Sequence, residues 1–262
     1  MNKQDSSRKC QAGFSLIELI IAMAITIAIT AIAGRLLAQS MNIRTRANEK
    51  VDALADAQRA LNIMSREIAE AGYNISDNGI VAADSVTDAN GNSTIRIRSN
   101  LNKFNTASNP WYLPGSEVSL AARNGIGDPA ATPGEDAGED VKYFVHAVPG
   151  TANLLARYDA YGVQPDGSTV GYPTVLANRL DGLHIHYFTQ KVTYSTNSVD
   201  GCDISSPSAA ELSDVTLAKY VVIAVCVAQN AVGAPGSPGY QPKTQVLLVS
   251  DVALRNSNLL IY

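Results

Sequence analysis

Gly13-Phe-Ser-Leu-Ile-Glu18-Leu-Ile-Ile-Ala-Met-Ala-Ile-Thr-Ile-Ala-Ile-Thr-Ala-Ile-Ala-Gly34 holds a single charged side chain, Glu18, in a run of otherwise apolar or small residues. As a helix, the segment from Phe14 to Gly34 is long enough to cross the roughly 30 Å hydrocarbon layer of a bilayer. The 13 residues before it, Met-Asn-Lys-Gln-Asp-Ser-Ser-Arg-Lys-Cys-Gln-Ala-Gly, are polar, and Lys3, Arg8 and Lys9 outnumber Asp5. Basic residues ahead of an apolar helix predict that the N-terminus stays in the cytoplasm.

Three accounts of this segment compete. A cleaved signal peptide has an apolar region of about 7–15 residues and a small-residue cleavage site. Here the run is longer, and a cut at its last A-x-A match, Ala31-Ile-Ala33, would divide a helix whose pattern continues. A plain signal anchor explains the length but leaves Glu18 unexplained, since an intramembrane acid costs about 2.5–3.5 kcal/mol on insertion scales and is by default functional. The third account places a processing site at the polar-to-apolar switch between Gly13 and Phe14.

On these residues the chain resembles the type IV pilins and the type II secretion pseudopilins, whose prepilin motif is matched in register by Gly13-Phe14-Ser15-Leu16-Ile17-Glu18. The resemblance implies that prepilin peptidase cuts after Gly13 and that the new terminal residue, Phe14, is N-methylated. It also implies a role for Glu18. Cleavage creates a positive amine at Phe14, and in a staggered stack of helices Glu18 of one subunit can neutralise the Phe14 amine of its neighbour. Each charge is costly alone in lipid, and their pairing fixes the axial register.

Beyond Gly34 the pattern becomes amphipathic. Leu36, Ser40, Ile43, Ala47, Val51, Leu54, Leu61 and Ile68 recur at spacings of three, four or their sums, with Arg44, Arg46, Glu49, Lys50, Asp52, Asp56, Arg59 and Glu67 between them. No proline occurs between Phe14 and Tyr73, so the helix is expected to run to Ala71 with Gly72 as its stop. About 58 residues at 1.5 Å each would make a rod near 87 Å long. A coiled-coil stalk is disfavoured because Gln58 and Asn62 interrupt a heptad seam.

From Tyr73 the period shifts toward two. Ser93–Arg98, Asp140–His146, Asn153–Tyr158, Gly182–Phe188 and Lys219–Ala228 read as strands, and Gln245–Val249 with Asp251–Arg255 add one or two more. A hairpin is expected across Ala147-Val-Pro-Gly150. A long helix followed by mainly antiparallel strands is an α+β order, with one sheet packed on the amphipathic half of the helix. This matches the type IV pilin fold that the resemblance implies. The expected organisation is a leader at 1–13, a transmembrane half-helix at 14–34, an amphipathic half-helix at 35–72 and a β-rich head at 73–262.

Residues 121–139, 199–214 and 231–242 read as long loops. Asp128, Glu135, Asp136, Glu139 and Asp140 raise the question of calcium, but without an EF-hand pattern a solvated acidic loop is the expectation. His184 and His186 share one strand face, and with no further Cys or His nearby they read as an ordinary sheet face rather than metal ligands. Of three cysteines, Cys10 lies in the leader. Cys202 and Cys226 then remain as one candidate disulfide, or as two thiols with Cys226 buried in an apolar strand. No G-x-S-x-G, phosphate-binding Gly loop or H-E-x-x-H is present, so neither catalysis nor a cofactor is expected. The net charge of −4, which falls to −6 once the leader's surplus of two positive charges is removed, argues against nucleic-acid binding as the main task. Arg96, Arg98 and Lys103 could serve DNA capture, but alternating Arg on a strand reads first as a solvated face.

Within the resembled family, Ser65–Tyr73, Leu176–Leu183 and Asp251–Asn256 are similar to segments of PilW-type minor pilins, relatives of the J-type pseudopilins. The resemblance implies a minor pilin that primes pilus assembly within a tip complex. Its partners would be other minor pilins, the major pilin, a tip adhesin and the inner-membrane assembly platform. The subunit would wait in the bacterial inner membrane with its head in the periplasm, then move to the pilus tip. A J-type pseudopilin is the neighbouring reading, and a signal-anchored periplasmic binding or enzymatic domain the rival from another class. K-type pseudopilins, the tip-most subunits, typically lack the acid that Glu18 supplies. Glu18→Ala is expected to leave insertion and cleavage intact and to lower recovery of the subunit in sheared fibres, and undiminished recovery would refute the register role.

Overall fold

The computed structural model describes residues 15–73, 75, 77–101, 137–147, 153–164, 171–197, 202–236 and 240–256. With no proline to interrupt it, the N-terminal segment forms a single helix, α1 (Leu16–Glu70). The chain divides into two compact units, Met1–Glu49 and Lys50–Tyr262, and α1 contributes to both. In the first unit the large apolar side chains from Leu16 to Leu37 are 52–77% exposed.

In the second unit the buried face of α1 is Ala53, Ala57, Ala60, Leu61, Met64 and Ile68. The sequence points instead to a stripe through Val51 and Leu54. Val51 is in fact exposed, and Leu54 packs only at the core's margin. The difference has a steric cause, because three alanines leave the helix backbone free to approach the sheet closely, and Met64 and Ile68 fill the space that remains.

The helix ends at Glu70, one residue short of the expected Ala71. Gly72 adopts φ +78°, as helix-terminating glycines do, and its N–H donates to Arg98 O at 2.9 Å. Gly79, at φ +75°, lies so close that a Cβ there would collide with Gly72 N and Arg98 O. Arg98 N–H donates in turn to Gly79 O at 2.7 Å. Two glycines thus let the helix end and the sheet edge share backbone hydrogen bonds.

The sheet has six strands, all antiparallel to their neighbours: β1 (Ile95–Arg98), β2 (Asp140–His146), β3 (Asn153–Asp159), β4 (Tyr172–Phe188), β7 (Tyr220–Gln229) and β8 (Thr244–Ala253), in that spatial order. Between β4 and β7 the chain adds a small hairpin, β5 (Ser195–Asn197) and β6 (Asp203–Ser205). The fold is therefore α+β, a long helix packed on a mainly antiparallel sheet. Two expected boundaries change. β4 begins ten residues before Gly182, pairing first with β3 and then with β7 through a register shift near Leu180. Gln245–Val249 and Asp251–Arg255 merge into the single strand β8. Residues 148–152 of the β2–β3 connection lie outside the described residues, but His146 does pair with Leu154.

Alternation on β7 sorts the two faces. Val221, Ile223, Val225 and Val227 join the helix-side core with Ile95, Val141, Leu155, Leu183 and Ile185. Val222 turns to the far face, where it packs with Phe188 and Val192 under Ile204 and Ala209. Because β7 is covered on both faces it reads as an unbroken apolar run. Met64→Ala, at a side chain with no exposure, is expected to destabilise the head by about 2–4 kcal/mol in urea unfolding, against less than about 0.5 kcal/mol for the exposed control Gln58→Ala.

Candidate functional site

The helix start is built from Ser15 onward. Ser15 O accepts the N–H groups of Glu18 at 3.0 Å and Leu19 at 3.2 Å, which opens the first turn of α1. Glu18 stands in that turn, exposed, among the apolar side chains. Thr26 and Thr30 donate their hydroxyls to Ala22 O and Thr26 O, each at 2.7 Å, so neither asks for a partner outside the helix. The segment has a mean hydropathy of 2.5 over 18 residues, none of them buried within the protein. By length and composition it can span a membrane. Gly13 and Phe14 lie outside the described residues.

A second polar group joins α1 to the sheet. Glu67 receives hydrogen bonds from the Tyr143 hydroxyl and from Arg157 Nε, the latter at 3.0 and 3.2 Å. Arg157 Nη1 continues to Asp159 Oδ2 at 3.2 Å. Burial first, and then the Glu67 charge, push the Tyr143 hydroxyl well above its ordinary range, so it stays protonated and donates. Burial opposes the Arg157 charge, but its bonds to Glu67 outweigh that effect and hold the guanidinium charged. The group fixes the rotation of α1 over β2 and β3.

At the sheet edge Arg96 grips Asp140 with two bonds, Nε to Oδ1 at 2.7 Å and Nη2 to Oδ2 at 2.8 Å, and reaches Asp84 at 2.6 Å through Nη1. Arg98 adds a bond to Asp140 at 3.0 Å, and Lys142 one to Asp84 at 3.0 Å. The bonds from Arg96 and then Lys142 hold the Asp84 carboxyl below its usual range. Arg96 and Arg98 are thus engaged with carboxylates on a face that stays partly open to solvent. Glu139 and Asp140 are buried, not part of a solvated acidic loop; Asp128, Glu135, Asp136 and Lys103 lie outside the described residues.

On the far face the structure joins Cys202 to Cys226, with Cα atoms 5.8 Å apart. Beside this link His184 and His186 converge on Asp203, which directly follows Cys202. His186 Nε2 lies 2.8 Å from Asp203 Oδ1, His186 Nδ1 lies 3.1 Å from Glu211 Oε2, and His184 Nδ1 lies 3.6 Å from Asp203 Oδ2. Among the described residues no group of three or more His, Cys, Asp or Glu side chains is arranged to hold a metal. The two histidines are nonetheless more than a sheet face. Burial alone would depress the His186 imidazolium, but the hydrogen bonds to Asp203 and then Glu211 prevail and push it up to about 9. Asp203, which burial would raise, is drawn below its usual range by the same contact with His186. Sequence reading finds the histidines and misses both acids, which lie 17 and 25 residues beyond His186. It also misses the Glu67 group, since nothing local pairs Glu67 with Tyr143 and Arg157.

A family model described as the prokaryotic N-terminal methylation motif matches residues 8–34. No curated protein matches the chain. The motif supports a type IV pilin or pseudopilin, and it implies processing by prepilin peptidase and assembly with other pilins. Proteins with this motif are structural. With the apolar helix it marks a membrane-anchored protein, and the α+β architecture is consistent with a type IV pilin fold.

The pH dependence of the far-face cluster follows from its shifts. His186, raised above its ordinary 6.5, lends stability that is complete below about pH 6.5 and is lost as pH rises through about 9. Asp203, lowered from 3.8, lends stability above that value and loses it as the solution turns more acid. His186→Gln should thus cost about 1–2 kcal/mol in denaturant unfolding at pH 6, discounted for the half-exposed Glu211, and little above pH 9.5. An equal cost at both pH values would show that the ion pair is not responsible.

Proposed function

We propose that this chain is a PilW-like minor pilin that primes type IV pilus assembly as part of a complex at the fibre tip. The observation that carries the reading is Glu18, an acid in the first turn of an exposed apolar helix, five positions after Gly13 in the matched motif. On this reading prepilin peptidase cuts between Gly13 and Phe14, Phe14 is N-methylated, and its amine pairs with Glu18 of the adjoining subunit. The N-terminus faces the cytoplasm and the head the periplasm, an oxidising compartment in which a Cys202–Cys226 bond is at home. Residues 1–13 form the leader, 14–34 span the membrane, 35–72 are the amphipathic continuation and 73–262 the head.

Support for a minor rather than an abundant subunit comes from the head. It carries the additional β5–β6 hairpin and long connections, which would crowd a densely packed fibre surface. Two segments that resemble PilW-type proteins also meet in space. Arg255 N–H donates to Ala69 O at 3.3 Å, and Asn256 Nδ2 donates to Glu70 O at 3.3 Å and Ala71 O at 3.2 Å. The residues after β8 thereby satisfy the last carbonyls of α1. Partners on this reading are other minor pilins, the major pilin, a tip adhesin and the inner-membrane assembly platform. A J-type pseudopilin of a type II secretion system shares these features and differs in the fibre it joins.

Mass spectrometry of the mature protein, from cells with and without the prepilin peptidase, tests the reading. The expected peptide begins with N-methylated Phe14 and is lost without the peptidase. An intact Met1 terminus, or a cut near Ala33, would instead favour a signal-anchored or secreted periplasmic domain. Depletion of the subunit should then reduce the number of fibres per cell, whereas a loss of protein secretion with normal pili would transfer the assignment to the J-type pseudopilin.

A further inference from the structure

The far face of the sheet holds residues 202–212 by the Cys202–Cys226 disulfide and by a set of non-covalent bonds. Thr193 O accepts the N–H of Ser208 at 2.8 Å, Ser208 Oγ accepts the N–H of Thr193 at 3.0 Å, and Leu212 N–H donates to Tyr187 O at 2.8 Å. Ile204 and Ala209 close over the small core of Phe188, Val192 and Val222. Above all, His186 bridges Asp203 and Glu211, with His184 facing the second Asp203 oxygen.

The register places this clasp next to the sulfurs. On β7, Cys226 pairs with Gly182, Ala224 with His184 and Val222 with His186, so Cys226 and both histidines occupy one face along two adjacent strands. Asp203 is the residue after Cys202. Seating Asp203 on the histidines therefore brings Cys202 over Cys226, and both cysteines end buried, at 2% and 0% exposure. Cys202 also sits at φ +49°, a conformation uncommon for a residue with a side chain, so its backbone must be held by its surroundings.

We propose that the His186–Asp203–Glu211 clasp seats residues 202–212 before the sulfurs are joined, making His186 a positioning residue for oxidation of Cys202 and Cys226. The reaction is ordinary thiol–disulfide exchange with an external disulfide. Two cysteine thiols lose two electrons and two protons, the sulfur–sulfur bond forms, and the oxidant is reduced to two thiols. Without the clasp, closure across the 24 residues between the cysteines is guided only by the bonds of Ser208 and Leu212 and the small apolar core, and the sulfurs meet at a lower effective concentration. With it, their encounter is preorganised.

The test uses the full-length chain in detergent micelles with Cys10→Ser, so that only the two head thiols react. The reduced protein is exposed to oxidised glutathione at pH 7, and free thiols are trapped by alkylation over time. His186→Gln is expected to slow formation of the Cys202–Cys226 bond by about fivefold or more, with a smaller effect for Glu211→Gln, as the effective concentration of the thiols falls. Rates equal to that of the parent would overturn the proposal. The complementary variant, Cys202→Ser with Cys226→Ser, is read by NMR titration of the His186 ring proton. A midpoint raised as far above 6.5 as in the disulfide-bonded parent shows the clasp closed without the disulfide, and a return to about 6.5 shows that the disulfide creates the clasp and the proposal fails.

Discussion

Apolar surface left in water costs about 25 cal/mol for every Å², and the first unit of this chain leaves nearly all of its large apolar side chains uncovered. From Leu16 to Leu37 no other part of the described protein packs on α1. A bilayer, or neighbouring helices of the same kind, can meet that demand. The hydroxyls of Thr26 and Thr30 are already spent on the helix's own carbonyls, so this surface asks its environment for apolar contact alone. Glu18 is the exception up to Gly34, and Arg35 adds a second charge at the far end of the run.

The second unit solves the opposite problem, since there α1 must be held by the rest of the chain. Ala53, Ala57 and Ala60 give close approach but little specificity, because a smooth alanine face could slide or rotate on a sheet of valines and isoleucines. Glu67, bound by Tyr143 and Arg157, supplies the angular constraint that the apolar seam lacks. The helix end adds another, through the backbone bonds of Gly72 and Gly79 with Arg98. On the far face the same division of labour recurs, with a small apolar cluster under the β5–β6 hairpin and a histidine clasp beside it.

Local pattern made the helix, β2, β3 and β7 legible, because burial on one or both faces imposes a period that the residues display. It was less informative where tertiary contacts decide. The first half of β4 is interrupted by Arg179 at positive φ and by the register shift near Leu180, so Tyr172–Asp181 lacks a clean alternation. The α1 seam is hard to read because alanine counts little in a hydrophobic pattern even where it marks the closest approach. Arg96 and Arg98 read as solvent-facing residues, and nothing local shows their carboxylate partners, which lie up to 44 residues away. His184 and His186 were visible as a pair, but Asp203 and Glu211, which give the pair its chemistry, follow a turn and a hairpin that no short-range rule connects to them. At the N-terminus the reverse holds. The motif is wholly local, so it is recognisable without any tertiary information.

The alanine seam also has a mechanical side. A pull along the axis of α1 would be resisted in shear, with Ala53 to Ile68, the Glu67 ion pair and the Gly72 stitch to β1 all loaded at once. Bonds loaded in parallel share tension, whereas bonds peeled one after another fail singly. Sideways force would instead lift the helix end first, at Asn256 and Arg255, where two loop residues hold the last carbonyls. Force along α1 and force across it would thus meet different sets of bonds.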